Sequence, residues 1–134
     1  MKISALVQNA GSDHKVLVST EGSNRNLAIP AKAAGGGSAV NGGEFLMLAL
    51  ATCYCNDLYR EAKRLGIEVQ GVEVEASADF EGVGMAATNV SYRARVDSRE
   101  PKERIDQLLR ETDAVAEVHN TLRAPTVVRL QTDT

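Results

Sequence analysis

Tryptophan is absent from this chain, and only 4% of its residues are aromatic. Proteins that stack nucleobases need such rings on their surface, so this scarcity argues against a nucleic-acid partner. The formal net charge of −3 agrees, because it provides no attraction to phosphates or anionic membranes. Long apolar runs are also missing: none spans a bilayer, and MKISALVQNAG lacks the apolar core of a signal peptide. We therefore expect a cytoplasmic protein with no nucleic-acid or membrane partner.

Cysteine is scarce too, since Cys53 and Cys55 are the only two in the chain. A chain of 134 residues can bury a core of its own as one domain spanning residues 1–134, so folding needs no disulfide or metal. In a reducing compartment a cysteine pair is more often catalytic or metal-binding than structural. The two thiols are therefore the first candidates for chemistry.

Short segments of alternating apolar and polar residues predict the strands. Three lie in the first third of the chain and form an antiparallel meander, since the turn signals NAGSD and EGSN separate them. The predicted strands are KISALVQ, HKVLVST, NRNLAIP, IEVQGVEVEASADF, TNVSYRARVDS and the closing TVVRLQT. The glycine-rich stretch AKAAGGGSAVNGG has no phosphate-binding motif and is predicted to be a connector.

Two helices are predicted. The first runs from Glu44 to Leu65, ahead of the terminator Gly66, and its first half, EFLMLALATCYC, is apolar nearly all round. Pro101 opens the second, PKERIDQLLRETDAVAEVH, with Ser98 as its cap. This order of elements predicts an α+β fold with helices on one face of antiparallel sheet. One small sheet cannot cover so apolar a helix, so we also predict a homodimer with this helix near the interface.

The spacing of the cysteines limits what they do. Helical side chains two positions apart point about 200° from each other, which prevents a disulfide between Cys53 and Cys55. No metal site is expected, because a structural zinc ion needs about four ligands while His14 and His119 are isolated. Ordinary packing is the plain alternative, and we favour it for Cys55. For Cys53, packing and a reactive thiol both stay open.

The segment GGEFLMLALATC, followed by YCNDLYREAKRLGIEVQGVEVEASADF, resembles the signature of the OsmC/Ohr family, the osmotically inducible and organic hydroperoxide resistance proteins. AEVHNTLRAPTVVRL resembles the second motif of that family, C-P-V-x-N-T-L and a strand. The resemblance implies a two-layer α+β fold, with antiparallel sheets wrapped around a long central helix in an intertwined homodimer. It also implies reduction of organic hydroperoxides at the interface by a helix cysteine, a resolving cysteine, and an activating arginine and glutamate.

Carried over position by position, the resemblance makes Cys53 the peroxide-attacking cysteine. The resolving position falls on Ala116 and the catalytic-glutamate position on Gly43, so both of those functional groups are missing. For the activating arginine the resemblance points to the N-terminal strand region, where Arg25 is the nearest candidate, and Arg123, just after the second motif, is the other candidate. The implied cycle then needs an external thiol, because a sulfenic acid must meet a thiol to complete turnover. No cofactor is implied.

Further side chains are candidates for binding in the implied pocket. Glu44 either orients a substrate or an arginine, or stabilises the helix start through its charge. His119 either forms a hydrogen bond in the pocket or is an ordinary polar residue, and Cys55 is the third candidate. Asp57, one turn after Cys53 on the same face, is expected to raise the pKa of the thiol.

Functions of different classes fit this sequence. The first is thiol-dependent reduction of a small-molecule peroxide, with Cys53 as the nucleophile. The second is a non-catalytic dimer that binds a small apolar or thiol-reactive ligand at its interface, with Cys53 only lining the pocket. The third is a structural dimer in which both cysteines are packed. The missing resolving cysteine and glutamate favour the last two, whereas the cysteine on the signature helix favours the first.

Overall fold

The structure, a computed structural model, describes residues 1–132 of the chain. These residues form five strands and three helices, and every paired strand is antiparallel, which confirms the predicted α+β class. The chain divides into two compact units, the first Met1–Phe45 and the second beginning at Leu46. None of the helices described is long and apolar enough to cross a membrane.

The first unit holds the predicted meander. Its strands β1 (Ile3–Ala10), β2 (Asp13–Thr20) and β3 (Ser23–Leu27) pair in that order. At the turn between β2 and β3, Glu21 and Gly22 both have positive φ. That is the geometry of a type I′ turn, which matches the twist of a two-residue hairpin, so the turn signal EGSN is confirmed.

Helix α1 (Gly42–Leu65) starts slightly before the predicted position. Two reciprocal hydrogen bonds cap it: the Glu44 backbone N–H donates to Asn41 Oδ1 at 2.7 Å, and the Asn41 N–H donates to Glu44 Oε1 at 3.0 Å. This capping box satisfies N–H groups that the start of a helix leaves unpaired. Glu44 is thus engaged in the cap, and its binding role stays a prediction.

The second unit packs its helices on one hairpin. Strands β4 (Gly71–Asp79) and β5 (Thr88–Asp97) form that hairpin, and α2 (Lys102–Val115) and α3 (Glu117–Arg123) follow. Alternate residues of both strands lie against the core, as the period-two pattern predicts. The buried members of this core are Tyr54, Leu58, Ala62, Ile67, Leu108 and Ala116.

Two details of the second predicted helix are wrong. It does not continue through His119, because Ala116 has an extended backbone (φ −71°, ψ 111°) that separates α2 from α3. Ser98 does not cap α2 either, since Pro101 is the N-cap residue and Ser98 Oγ donates to the Glu68 carbonyl oxygen at 2.6 Å. The break at Ala116 gives α3 a direction of its own.

Some apolar surface that the sequence predicts to be covered is exposed in the single chain. The closing strand TVVRLQT is not formed, since the structure assigns no strand to residues 126–132. A strand needs a neighbour, and this segment pairs with none of the five described strands. Val128 and Leu130 are 93% and 92% exposed, and Leu48 on α1 is 57% exposed.

Candidate functional site

Cys53 lies midway along α1, half-buried against the core of the second unit. Cys55 is also half-buried and free, but it is not part of that core packing. The absence of a disulfide between these two residues agrees with the divergent directions that a helix gives them. Of the two thiols, Cys53 is thus the one that packs against the core of the second unit.

Two carboxylates face the Cys53 sulfur. Sγ lies 3.6 Å from Glu117 Oε2 and 3.8 Å from Asp57 Oδ2, and its single S–H proton donates to one of these oxygens at a time. Asp57 lies one turn along α1 and is buried, whereas Glu117 reaches the sulfur from the first turn of α3 and is largely exposed. The extended backbone at Ala116 is what brings α3 to this position.

Arg60 holds the two carboxylates together from the side away from the sulfur. Its Nη1 donates to Asp57 Oδ1 at 3.0 Å and to Glu117 Oε1 at 3.3 Å. Its Nε donates to Glu61 at 3.2 Å, and Arg64 contacts the other oxygen of Glu61 at 2.9 Å. Glu61 is only 8% exposed, although it lies in the charged second half of α1. Its carboxylate is tolerated there because two arginines neutralise it.

The surroundings of Cys53 keep its thiol protonated. Burial is the largest cause that raises its pKa, and the charges of Asp57 and Glu117 add to it, while a hydrogen bond from the Val118 backbone lowers it in part. The expectation that Asp57 raises this pKa is confirmed in direction. Burial and the neighbouring Glu117 also raise the pKa of Asp57. At neutral pH the sulfur is thus a hydrogen-bond donor to carboxylate.

The two arginines predicted to activate Cys53 each have other surroundings within their own unit. Arg25 is exposed on β3 in the first unit, where it lines a polar cavity with Ser19, Thr20 and Ser23. Arg123 pairs with Asp113, its Nη2 lying 2.7 Å from Oδ1. Activation of Cys53 by either arginine stays a prediction. The arginine that the structure places against the two carboxylates beside the thiol is Arg60, which lies in the charged run REAKR of α1.

Three donor atoms of metal-binding type meet at the thiol. One atom each from Cys53, Asp57 and Glu117 lie within 4.8 Å of one another. The Arg60 guanidinium already balances the two carboxylates. This set offers fewer than the four ligands of a closed zinc site, so the geometry adds no support for a structural metal centre.

An apolar cavity of about 650 Å³ opens beside α1 in the second unit. Its apolar wall comes from Leu46, Leu50, Ala86, Ala87, Val90 and Leu122, and its polar wall from Ser91, Tyr92, His119 and Arg123. Leu46, Leu50 and Cys53 follow one face of α1, so the cavity lies about one helical turn from the thiol. His119 and Arg123 are thus brought together here.

His119 is buried in the wall of this cavity, only 3% exposed. Its ring forms a T-shaped pair with Tyr92, with centroids 4.4 Å apart, and a tilted pair with Tyr54 at 5.7 Å. Both tyrosine hydroxyls are committed elsewhere: Tyr92 donates to Asp113, and Tyr54 donates to the Leu109 carbonyl oxygen at 2.7 Å. Neither ring nitrogen of His119 has a hydrogen-bond partner among residues 1–132. Burial, followed by the charge of Arg123, lowers the pKa of the imidazole, so it is neutral at pH 7.

Comparison with known proteins agrees with this architecture. Residues 35–131 match the family described as OsmC-like protein. No curated protein sequence matches the chain.

Several solved structures share the fold. An organic hydroperoxide resistance protein from Legionella pneumophila superposes with a TM-score of 0.61 at 18% identity, over 92% of this chain and 90% of that one. One from Elizabethkingia anophelis, with thiocyanate bound, gives 0.62 at 19% identity, over 93% and 90%. A putative one from Vibrio cholerae, with captopril in one of its active sites, gives 0.59 at 21% identity, over 93% and 86%. With the matched family model covering most of its length, the chain belongs to the OsmC-like protein family.

Proposed function

We propose that the protein reduces organic hydroperoxides in the cytoplasm, with Cys53 as its one redox-active thiol. The sulfur attacks the terminal peroxide oxygen, the O–O bond breaks, the substrate leaves as an alcohol, and Cys53 becomes a sulfenic acid. A low-molecular-weight thiol then condenses with the sulfenic acid, releasing water and leaving a mixed disulfide. A second such thiol displaces Cys53 and leaves as the external disulfide. Two external thiols are oxidised for each hydroperoxide reduced.

The observation that carries this proposal is the pair of carboxylates on the Cys53 sulfur. The thiol is protonated at neutral pH, yet the nucleophile in thiol chemistry is the thiolate. A carboxylate at 3.6 Å accepts the S–H proton as the sulfur attacks, and then returns it to the leaving alkoxide. Glu117 and Asp57 thus supply proton transfer where the family's usual glutamate position is Gly43.

An external reductant is proposed because no second thiol of the chain serves Cys53. Ala116 occupies the resolving position that the family resemblance implies. Cys55 is two residues along the same helix, on a different face, and cannot reach Cys53 while α1 is intact. The sulfenic acid therefore persists until a small thiol enters the site.

Trapping that sulfenic acid tests the proposal. We expect dimedone to label Cys53 after a short exposure to cumene hydroperoxide, as located by mass spectrometry, and we expect Cys53→Ser to abolish both labelling and peroxide consumption. Cys55→Ser is the matched control, since it removes a thiol from the same helix without touching the carboxylate pair. Labelling no faster than that of free cysteine, or labelling of Cys55 in place of Cys53, would contradict the proposal.

We also propose that the protein works as a homodimer. Leu48, Thr52, Cys55 and Tyr59 form one stripe along the outer face of α1, and Leu48 and Tyr59 are 57% and 47% exposed. Val127, Val128 and Leu130 are likewise 71%, 93% and 92% exposed in the single chain. Surfaces of this kind are typical of protein–protein contact. A second copy that covers the α1 stripe accounts for the apolar half of this helix.

Charged side chains placed on the α1 stripe test whether this surface holds a dimer together. We expect the wild-type protein to show twice its chain mass of 14.3 kDa in light scattering coupled to size exclusion, and Leu48→Glu with Tyr59→Glu to shift it to the monomer. Two buried carboxylates in an interface without partners are costly enough to separate the copies. Val83→Glu, at a fully exposed residue of the β4–β5 loop, is the control and should leave the mass unchanged. A wild-type monomer would refute this arrangement.

A further inference from the structure

The cavity beside α1 has the size and lining of a small-molecule site. Its volume of about 650 Å³ lies within the range of known ligand pockets, which are mostly apolar with a few polar groups. Leucine, alanine and valine side chains supply the apolar walls, and the polar lining residues belong to β5 and α3. A ligand here has an apolar body and one polar group.

His119 specifies what that polar group is. A neutral imidazole has one N–H and one nitrogen lone pair. The N–H can point at the face of Tyr54 or Tyr92, since an aromatic ring is a weak hydrogen-bond acceptor. An aromatic face cannot donate to the lone pair, and both tyrosine hydroxyls already donate elsewhere. The ring nitrogen of His119 that carries the lone pair is therefore left without a donor, and a ligand that pairs with it must supply one.

The charges around His119 favour a neutral donor. Asp113 compensates Arg123 at 2.7 Å, and the imidazole itself is uncharged. An ammonium group would face the guanidinium of Arg123, and a carboxylate would bring a second anion close to Asp113 without offering a donor. A hydroxyl group avoids both conflicts.

We propose that this cavity binds a neutral apolar molecule bearing a hydroxyl group, whose O–H donates to the free nitrogen of His119. Both ring nitrogens are buried, so binding requires the His119 ring to turn about χ2, a torsion whose preferences are broad. The inference deepens the proposed function and rests on it in one respect, since the alcohol released by hydroperoxide reduction belongs to this class of ligand. Binding itself requires no reaction of Cys53 and no peroxide bond in the ligand.

A pair of isomers separates the contribution of the hydroxyl group to binding from that of the apolar surface. Heptan-1-ol and hexyl methyl ether have the same atoms and nearly the same apolar surface, but only the alcohol has an O–H donor. In NMR titrations of the full chain we expect the alcohol to bind about tenfold more tightly, because only it relieves the unpaired acceptor. We also expect the alcohol, and not the ether, to shift the nitrogen resonances of the His119 ring.

Two histidine variants complete the test. His119→Phe keeps an aromatic ring in the wall but removes the acceptor, and it should bind both isomers equally. His14→Phe, which changes the other histidine of the chain, should keep the tenfold preference. Equal binding of the isomers by the wild-type protein, or a preference that survives His119→Phe, would overturn the inference. Neither probe is a peroxide, so these results are independent of whether Cys53 is reactive.

Discussion

Replacing Glu117 with glutamine is expected to slow peroxide reduction about a hundredfold while making Cys53 react faster with iodoacetamide. The two reactions depend on the carboxylate in opposite ways. Alkylation needs only the thiolate, whose population at neutral pH is kept low because burial and the charges of Asp57 and Glu117 raise the Cys53 pKa. Removing the Glu117 charge lowers that pKa and increases the thiolate fraction.

Peroxide reduction needs a proton as well as a nucleophile. The departing alkoxide is strongly basic, and the carboxyl group that received the thiol proton returns it. Glutamine at position 117 cannot hold that proton, although it has the same shape as glutamate. In peroxide reduction the loss of acid–base catalysis therefore outweighs the gain in thiolate, whereas alkylation benefits from the gain in thiolate only.

Glu111→Gln is the matched control. Glu111 is also a carboxylate in an ion pair with a helix arginine, lying 2.8 Å from Arg64, but it has no hydrogen bond to Cys53 among the contacts described. Both rates should stay near wild type in this variant. If Glu117→Gln changed both rates in the same direction, Glu117 would act only on the thiol pKa and the proton-transfer role would be wrong.

The pH dependence of alkylation provides the same information for the wild-type protein. Because the pKa of Cys53 is raised above its ordinary value, the rate should keep rising past the pH at which free cysteine levels off. In Glu117→Gln the whole curve should move to lower pH.

Installing a thiol at Ala116 is expected to change the fate of the oxidised enzyme. Ala116 is fully buried in the core cluster against which Cys53 packs, and its two successors, Glu117 and Val118, both reach the Cys53 sulfur. In Ala116→Cys the new thiol therefore lies close to the sulfenic acid. Hydroperoxide should convert Cys53 to an intramolecular disulfide, and the lifetime of the sulfenic acid without external thiol should fall at least about a hundredfold, because the resolving thiol has a high effective concentration.

Mass spectrometry of non-reduced peptides identifies that disulfide. Ala116→Ser controls for the added volume, since overpacking a buried site costs about 1–3 kcal/mol and affects both variants. The double variant Ala116→Cys with Cys53→Ser should form no intramolecular bond. Persistent dimedone labelling of Cys53 in a folded Ala116→Cys protein would show that position 116 does not face the reacting sulfur.

Local patterns in the sequence predict most of the elements, because hairpins and helix ends depend on neighbouring residues. The I′ turn at Glu21 and Gly22 and the long helix α1 are confirmed for that reason. The site is harder to predict because it depends on contacts between distant segments. The sequence predicts one unbroken helix through His119, which gives Glu117 no special position. The extended backbone at Ala116 is what turns this side chain to Cys53.

The contacts of Arg60 show why the pattern of charges along a single helix does not suffice to predict the site. Its place in REAKR is typical of a solvated face, and half of its side chain is indeed exposed. One signal was available: Arg60 follows Asp57 by three residues, and Asp57 follows Cys53 by four, so all three lie along one side of α1. The burial of His119 had no such signal, because it depends on Tyr92 and Tyr54, which lie 27 and 65 positions earlier in the chain.

Helix α3 is only seven residues long, yet it supplies groups to two places. Glu117 at its first turn faces the sulfur, while His119 and Arg123 face the cavity. So short a helix depends on tertiary contacts for its stability. Because both sets of side chains lie on one short helix, a substitution that displaces α3 is expected to alter thiol acidity and the shape of the cavity together. Residues of α1, of β5 and of the loop before β5 can alter one property alone.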